Sequence, residues 1–219
     1  MSTHPTGKPT GRPRSAQADL AILDATRAAL VALGWGKLTM SDVAARAGVA
    51  KTTLYRRWAN KHDLVVDAVA VLFDELELPD RGSLRADVEG VVLQFAALLE
   101  RPEAKTALMA VVAESTTDAA LRLRIREAIV NRQKRLVVAG RARAQRRGEI
   151  PPDPAGSDPA PQIDLIFDVI AGAVVHRTLV TGEPVDTDWA ERFTAVLLGG
   201  LTAPFGPSGA AGQKRAGSV

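Results

Sequence analysis

Apolar residues recur along this chain at intervals of three and four, and nowhere do they alternate with polar ones over the length of a strand. The pattern predicts an all-α protein. Over residues 16–33, Leu20, Leu23, Ala28, Leu30 and Leu33 mark a helix that stops at Gly34. Thr39, three residues before Asp42, has the spacing of a helix-capping pair. Val43, Ala44 and Ala47 give the short helix that follows a narrow apolar face, and Gly48 suits the left-handed exit from it. A second short helix is predicted over about residues 51–59, with Leu54 and Trp58 facing inward. From Asn60 a longer helix is expected to run through Leu64, Val65, Ala68, Val71 and Leu72 to Leu78, stopped by Pro79 and Gly82.

The same periodicity continues. Leu84, Val88, Val91, Val92, Phe95, Leu98 and Leu99 trace one helix, and Pro102 opens another that carries Leu108, Met109, Val111 and Val112. A long helix is predicted over residues 119–147, with Leu121, Ile125, Ile129 and Leu136 inward, followed by a proline-rich loop over 148–161. Two further helices, 162–180 and 186–201, precede a small polar tail from Pro204 that reads as disordered. The first of this pair is apolar around nearly its whole circumference, through Ile163, Leu165, Ile166, Phe167, Val169, Ile170, Val174 and Val175. Such a helix is buried on all sides. Paired with Trp189, Phe193, Val196, Leu197 and Leu201 it suits a two-fold four-helix interface in a homodimer. The expected interface is Ile163, Ile166, Phe167, Ile170, Val174, Trp189, Phe193, Val196 and Leu197; the alternative is a central core helix of one chain.

Charge adds chemistry to this scaffold. The second short helix presents Lys51, Thr52, Thr53, Tyr55, Arg56 and Arg57 opposite its apolar face, which is what a helix lying in a DNA major groove requires. The overall charge of +3 conceals a split, with residues 1–63 at net +6 and the remainder at net −3. Phosphate attraction accounts for such a concentration. Ahead of the first helix, residues 1–15 form an expected disordered basic arm, in which Arg12 and Arg14 flank a proline much as in AT-hook segments that enter a minor groove. A solvated tail is the alternative. The stretch 121–149 holds ten Lys or Arg against two acids. A second nucleic-acid surface is one reading, but residues 150–219 carry eight acids against four bases, which makes a solvated helix balanced by those carboxylates the better one.

At 219 residues, 46% of them hydrophobic, the chain supports a large core in one or two domains. It has no cysteine, which excludes disulfides, thiol catalysis and thiolate metal sites, and His4, His62 and His176 share no ligand spacing. No apolar run is long enough to span a bilayer, and residues 1–15 lack a signal-peptide core, so a cytoplasmic, nucleoid-associated protein without a membrane partner is expected. Neither a nucleophile elbow nor a phosphate-cradling glycine loop is present, so no enzyme, metal or cofactor is expected.

The segment Gly34-Trp35, Leu38-Thr39, Val43-Ala44, Ala47-Gly48-Val49, Thr53-Leu54-Tyr55-Arg56-Arg57-Trp58, Lys61 and Leu64 resembles the DNA-binding domain of TetR-family transcriptional regulators. The resemblance covers roughly the first third of the chain. It implies a three-helix DNA-binding domain over residues 16–62 and a helical effector-binding and dimerisation domain over 63–203, with residues 204–219 as tail. It further implies a homodimer that represses from a palindromic double-stranded DNA operator until a small-molecule effector releases it. Carried over by position, Lys51, Thr52, Thr53, Arg56 and Arg57 face base edges, Thr39, Tyr55 and Lys61 meet phosphates, and Ser41 joins them. Ala50 departs from the family, which often places a capping Ser or Thr there. The effector is expected among Gln94, Phe95, Met109, Val112, Phe167 and His176, and the 4% aromatic content favours an aliphatic or amphipathic one. The competing reading is a constitutive or architectural DNA-binding protein with a filled core and no effector.

Overall fold

The computed structural model describes the backbone of residues 13–202 and the side chains of residues 17–200. Arg12, the side chain of Arg14 and the tail expected from Pro204 lie outside the described residues. Ten α-helices follow in order: α1 (Pro13–Lys37), α2 (Met40–Ala47), α3 (Lys51–Tyr55), α4 (Lys61–Phe73), α5 (Leu84–Glu100), α6 (Pro102–Ser115), α7 (Ala119–Ile125), α8 (Asn131–Arg146), α9 (Ala160–Val175) and α10 (Thr187–Thr202). A π-helical turn, Arg126–Val130, joins α7 to α8 into one long rod, and a second, His176–Thr181, extends α9. Strands are absent among the described residues.

Capping explains most boundaries. Thr39 accepts the Asp42 amide through its hydroxyl at 3.2 Å, and the Asp42 carboxylate accepts the Thr39 amide at 3.0 Å, closing the reciprocal box that opens α2. Gly48 ends that helix at φ 65°, a left-handed conformation that a side chain would disfavour. Asn60, Ser83 and Asp118 cap α4, α5 and α7 in the same way, each accepting an amide three residues ahead. At the front of the chain α1 begins at Pro13, before the expected residue 16, so Arg14 lies in its first turn and not in an extended arm. Proline suits that position, because its fixed φ is helical and its missing N–H has no partner in a first turn.

Two helices are shorter than their apolar pattern suggests. The second short helix ends at Tyr55 instead of residue 59, and single turns carry the chain on to Trp58, whose amide still reaches the Leu54 carbonyl at 2.9 Å. The helix expected to reach Leu78 stops at Phe73. Beyond it the chain becomes a strap whose polar groups are satisfied by side chains. Arg135 and Arg143 donate to the carbonyls of Leu76 and Leu78 at 3.3 and 2.9 Å. Gln94 accepts the Glu77 amide and donates to its carbonyl, at 3.3 and 3.2 Å. These bonds replace the helical ladder, and Leu76 is buried as the strap crosses the core.

The small N-terminal core gathers Ile22, Leu30, Leu38, Val43, Leu54 and Trp58, and it continues into the larger one through α4, whose Leu64, Val65, Val66, Ala68, Val69 and Leu72 are all inaccessible to solvent. Helix α1 packs on α2, α4 and α6, while α5 packs on α8, α9 and α10. The basic rod α7–α8 is balanced by carboxylates, but Asp164 and Asp153 come from the expected stretch 150–219 whereas Asp63, Asp67 and Asp74 come from α4 and its end. Arg124 meets Asp63 and Asp67, Arg132 meets Asp74, Lys134 meets Asp164 and Arg141 meets Asp153. At its far end Arg143 and Arg147 converge on the fully buried carboxylate of Asp87, at 3.2 and 2.9 Å.

Burial alone would raise the Asp87 pKa, but the Arg81 amide at 2.7 Å, Arg147 and Arg143 outweigh it and hold the carboxyl below its ordinary range. A lowered pKa in the folded state means stability that is complete above the ordinary carboxyl value and is lost as pH falls through the folded one. Asp87→Asn is therefore expected to cost roughly 2 kcal/mol at pH 7, discounted because both arginines are partly solvated. Denaturant titrations at a series of pH values should show the wild type and the variant converging below about pH 4.

Candidate nucleic-acid interface and cavity

Helix α3 buries Leu54 against the small core and turns its other face outward. Lys51, Thr52 and Arg56 are exposed, Tyr55 is 54% exposed, and Thr53 is half-buried at the edge of the same face. On α2, Ser41 is half-buried, whereas Thr39 is exposed with its hydroxyl engaged in the capping box. The Thr39 hydroxyl is the main influence that lowers the Asp42 pKa, with Arg46 and Lys51 contributing at longer range. Arg46 and Lys51 are therefore both within electrostatic reach of Asp42. Neither Arg46 nor Lys37, exposed in the last turn of α1, was among the expected contacts; their signal was proximity to the motif.

Two expected contacts are placed elsewhere. Arg57 turns back from α3 and pairs with Asp19 of α1, its side chain only 19% exposed. The cause is local: once α3 ends at Tyr55, residue 57 no longer lies on the helix's outer face. Lys61 donates to the Trp35 carbonyl at 3.0 Å and sits over the Trp35 ring, 4.6 Å from its centre. It fastens the end of α1 to the start of α4 through a charge-assisted bond and a cation–π contact. His62 stacks on the same indole with ring centres 5.4 Å apart.

Inside the larger helical layer lies a cavity of about 370 Å³. Its walls are contributed by the strap, α5, α6, the α7–α8 rod, the 150–154 loop, α9 and α10. Phe95, Val112 and Phe167 line it as expected; Gln94, Met109 and His176 do not. Gln94 is occupied in clasping Glu77, Met109 is 44% exposed on the outside of α6, and His176 is exposed in the π-helical turn. The polar lining that the sequence did not reveal is Gln133, Asp87, Arg141, Asp153 and Gln162. Gln133 and Arg141 lie within a stretch that looks polar and basic in the sequence, so only the three-dimensional packing shows which of its residues turn inward.

The expected dimer face also needs correction. Ile166, Val174 and Leu197 are buried within their own chain, and Phe167 and Ile170 line the cavity, because α9 directs that side at α5 and α8. Ile163 is half-buried, and Trp189 and Phe193 stack with ring centres 4.9 Å apart beneath Arg177. The outward stripe runs instead through Leu165, Val169, Gly172, His176 and Val180, of which Leu165 is 50% and Val180 67% exposed. Val196 on α10, at 77% exposed, is the one residue of the expected set that is fully outward.

Comparison with known proteins follows this architecture. Residues 22–68 match the family model described as bacterial regulatory proteins of the tetR family, and residues 78–197 match that of the tetracyclin repressor-like C-terminal domain. The chain is 32% identical over 200 residues to the DNA-binding transcriptional repressor TetR of Mycobacteroides abscessus, covering 89% of this chain and 96% of that one. It is 26% identical over 198 residues to an uncharacterised HTH-type transcriptional regulator, YdeS, of Bacillus subtilis, covering 88% and 94%. Among solved structures, the TetR family transcription regulator SCO0332 superposes with a TM-score of 0.67 at 30% identity, covering 84% of this chain and 98% of that one. The Bacillus subtilis regulator FadR, solved in complex with stearoyl-CoA, superposes with a TM-score of 0.63 at 18% identity, covering 83% and 98%. No helix among the described residues is long and apolar enough to cross a membrane.

The placement of the cations separates two kinds of variant. Arg57→Ala removes a partly solvated ion pair and Lys61→Ala a tether between helices, so each is expected to cost about 1 kcal/mol, or 2–4 °C in Tm. Arg56→Ala, with its side chain in solvent, should stay within about 0.5 kcal/mol of wild type. Thermal melts of the three variants in DNA-free buffer check this.

Proposed function

Because the chain belongs to the TetR family of bacterial transcriptional regulators, whose members bind DNA operators and act as dimers, we propose that it is a homodimeric repressor released from a palindromic operator by a small molecule. The supporting observation is the pairing, in one chain, of an outward cationic α3 with an apolar cavity, joined through α4. In this reading Lys51, Thr52, Thr53 and Arg56 meet base edges, and Tyr55, Ser41, Lys37 and Arg46 meet the backbone. Arg57 and Lys61 support the reading head from within. Arg14 and the residues before α1 supply a further basic approach to the duplex.

The proposed dimer closes over the outward stripe of α9 and Val196 of α10. Leu165, Val169, Val180 and Val196 are all at least 40% exposed in the single chain, more apolar surface than a helix pair ordinarily leaves to water. Two such reading heads then face half-sites about 34–36 Å apart on one side of the duplex. An occupant of the cavity touches the strap that follows α4, and a shift there changes the spacing of the heads. A coupling of about 1–3 kcal/mol suffices to change occupancy 5- to 150-fold.

Footprinting the full chain on the DNA flanking its own gene, with random competitor at near-physiological salt, tests the proposal. A protected near-palindrome is the expected result, with Arg56→Ala losing roughly 1–3 kcal/mol on that sequence and little on random duplex. Diffuse protection removed by competitor at every segment tried would sink the operator-reading role.

A further inference from the structure

The walls of the cavity are apolar except at a few points, and their charges are already spoken for. Asp87 is neutralised by Arg143 and Arg147, and Arg141, with only 12% of its side chain exposed, is paired with Asp153. Gln133 differs. It is 4% exposed, lines the cavity, and its Oε1 has no hydrogen-bond partner among the described residues. Its Nε2 points to Asp74 Oδ1 at 3.4 Å. Because a carboxylate only accepts, that contact fixes the amide: nitrogen toward Asp74, oxygen free as an acceptor. A buried acceptor left without a donor is costly, and few native side chains tolerate it.

We infer that the cavity takes a neutral, largely aliphatic molecule bearing one hydrogen-bond donor, a hydroxyl or an amide N–H, and that Gln133 Oε1 is its specificity contact. The inference rests on reading the cavity as the effector site. An ionised headgroup has no unspent counter-charge among the lining residues, whereas a neutral donor completes Gln133 Oε1, the one unsatisfied buried side-chain atom among the described residues that line the cavity. The position also suits signalling. Asp74 is the C-cap residue of α4, the helix that leads to the DNA-binding layer, and it is also held by Arg132, the residue just before Gln133 in α8. A ligand that orders the Gln133 amide therefore acts one bond away from the end of α4.

Isothermal titration of the full chain with 1-decanol, decyl methyl ether and decanoate at pH 7.5 tests this directly. The alcohol and the ether share an aliphatic body and differ in the donor. The alcohol should bind about fivefold more tightly than the ether, and more tightly than decanoate. Gln133→Met should abolish the preference for alcohol over ether while leaving the ether's affinity unchanged; the wild-type comparison stands even if that variant folds poorly. Equal affinity for alcohol and ether would overturn the inference alone, since the amide would then be satisfied without the ligand. Tighter binding of decanoate would also overturn it, by showing that Arg141 leaves Asp153 for a carboxylate. Failure of all three probes to bind would remove the reading of the cavity as an effector site, and the inference with it.

Discussion

Asp67 is the point through which the two helical layers are held in one geometry. One of its carboxylate oxygens accepts the indole N–H of Trp58 at 2.9 Å, and the other meets Arg124. Trp58 is buried in the small core directly after α3, and Arg124 belongs to α7 in the larger layer. A single side chain on α4 thereby fixes the orientation of the reading head against the rod that walls the cavity. Both bonds are partly buried and one is charge-assisted, so each is stronger than a solvent-exposed equivalent.

The rest of the acidic edge of α4 extends the same arrangement. Asp63, Asp67 and Asp74 lie along the side that faces the basic rod, and Arg124 and Arg132 answer them. Charge that looked in the sequence like a solvated face is spent on holding a helix in place. Such pairs are individually modest, but here they are shared and backed by backbone contacts, with Arg135 and Arg143 seizing the strap as it leaves α4. A rod interrupted by a π-helical turn at 126–130, where Ile129 and Val130 line the cavity, is also a place where packing against a ligand can alter helical register.

The helical architecture was legible because periodicity, caps and prolines agreed, and the capping box at Thr39 and Asp42 formed as its spacing implied. The exposed face of α3 was legible too, since Tyr55 and Arg56 follow Leu54 by about 100° and 200° around the helix axis. What escaped were features decided by tertiary partners. Arg57 and Lys61 lie within a basic run, and only the presence of Asp19 and the Trp35 carbonyl shows that they turn inward. The apolar circumference of α9 signalled full burial, but periodicity could not say which side meets α5 and α8 and which is left outward. Leu76 and Leu78 continued the stripe of α4, yet side chains from α5 and α8 captured their backbone and ended the helix early. Gln133 carried no local signal at all, because its place in the cavity wall is decided by packing against other helices.

Ala50 precedes α3 with φ −69° and ψ 144°, an extended backbone ready for a capping side chain that alanine lacks. The helix behind it has five residues, too few to be stable by itself. A serine there needs one nucleotide change in an alanine codon and no backbone movement. Caps of that kind are worth about 0.5–2 kcal/mol, or roughly two- to thirtyfold in an equilibrium constant. In a DNA-binding regulator, that factor bears on the fraction of molecules whose α3 is ordered. The uncapped alanine leaves that fraction adjustable by a mutation that alters neither the exposed cations of α3 nor the walls of the cavity.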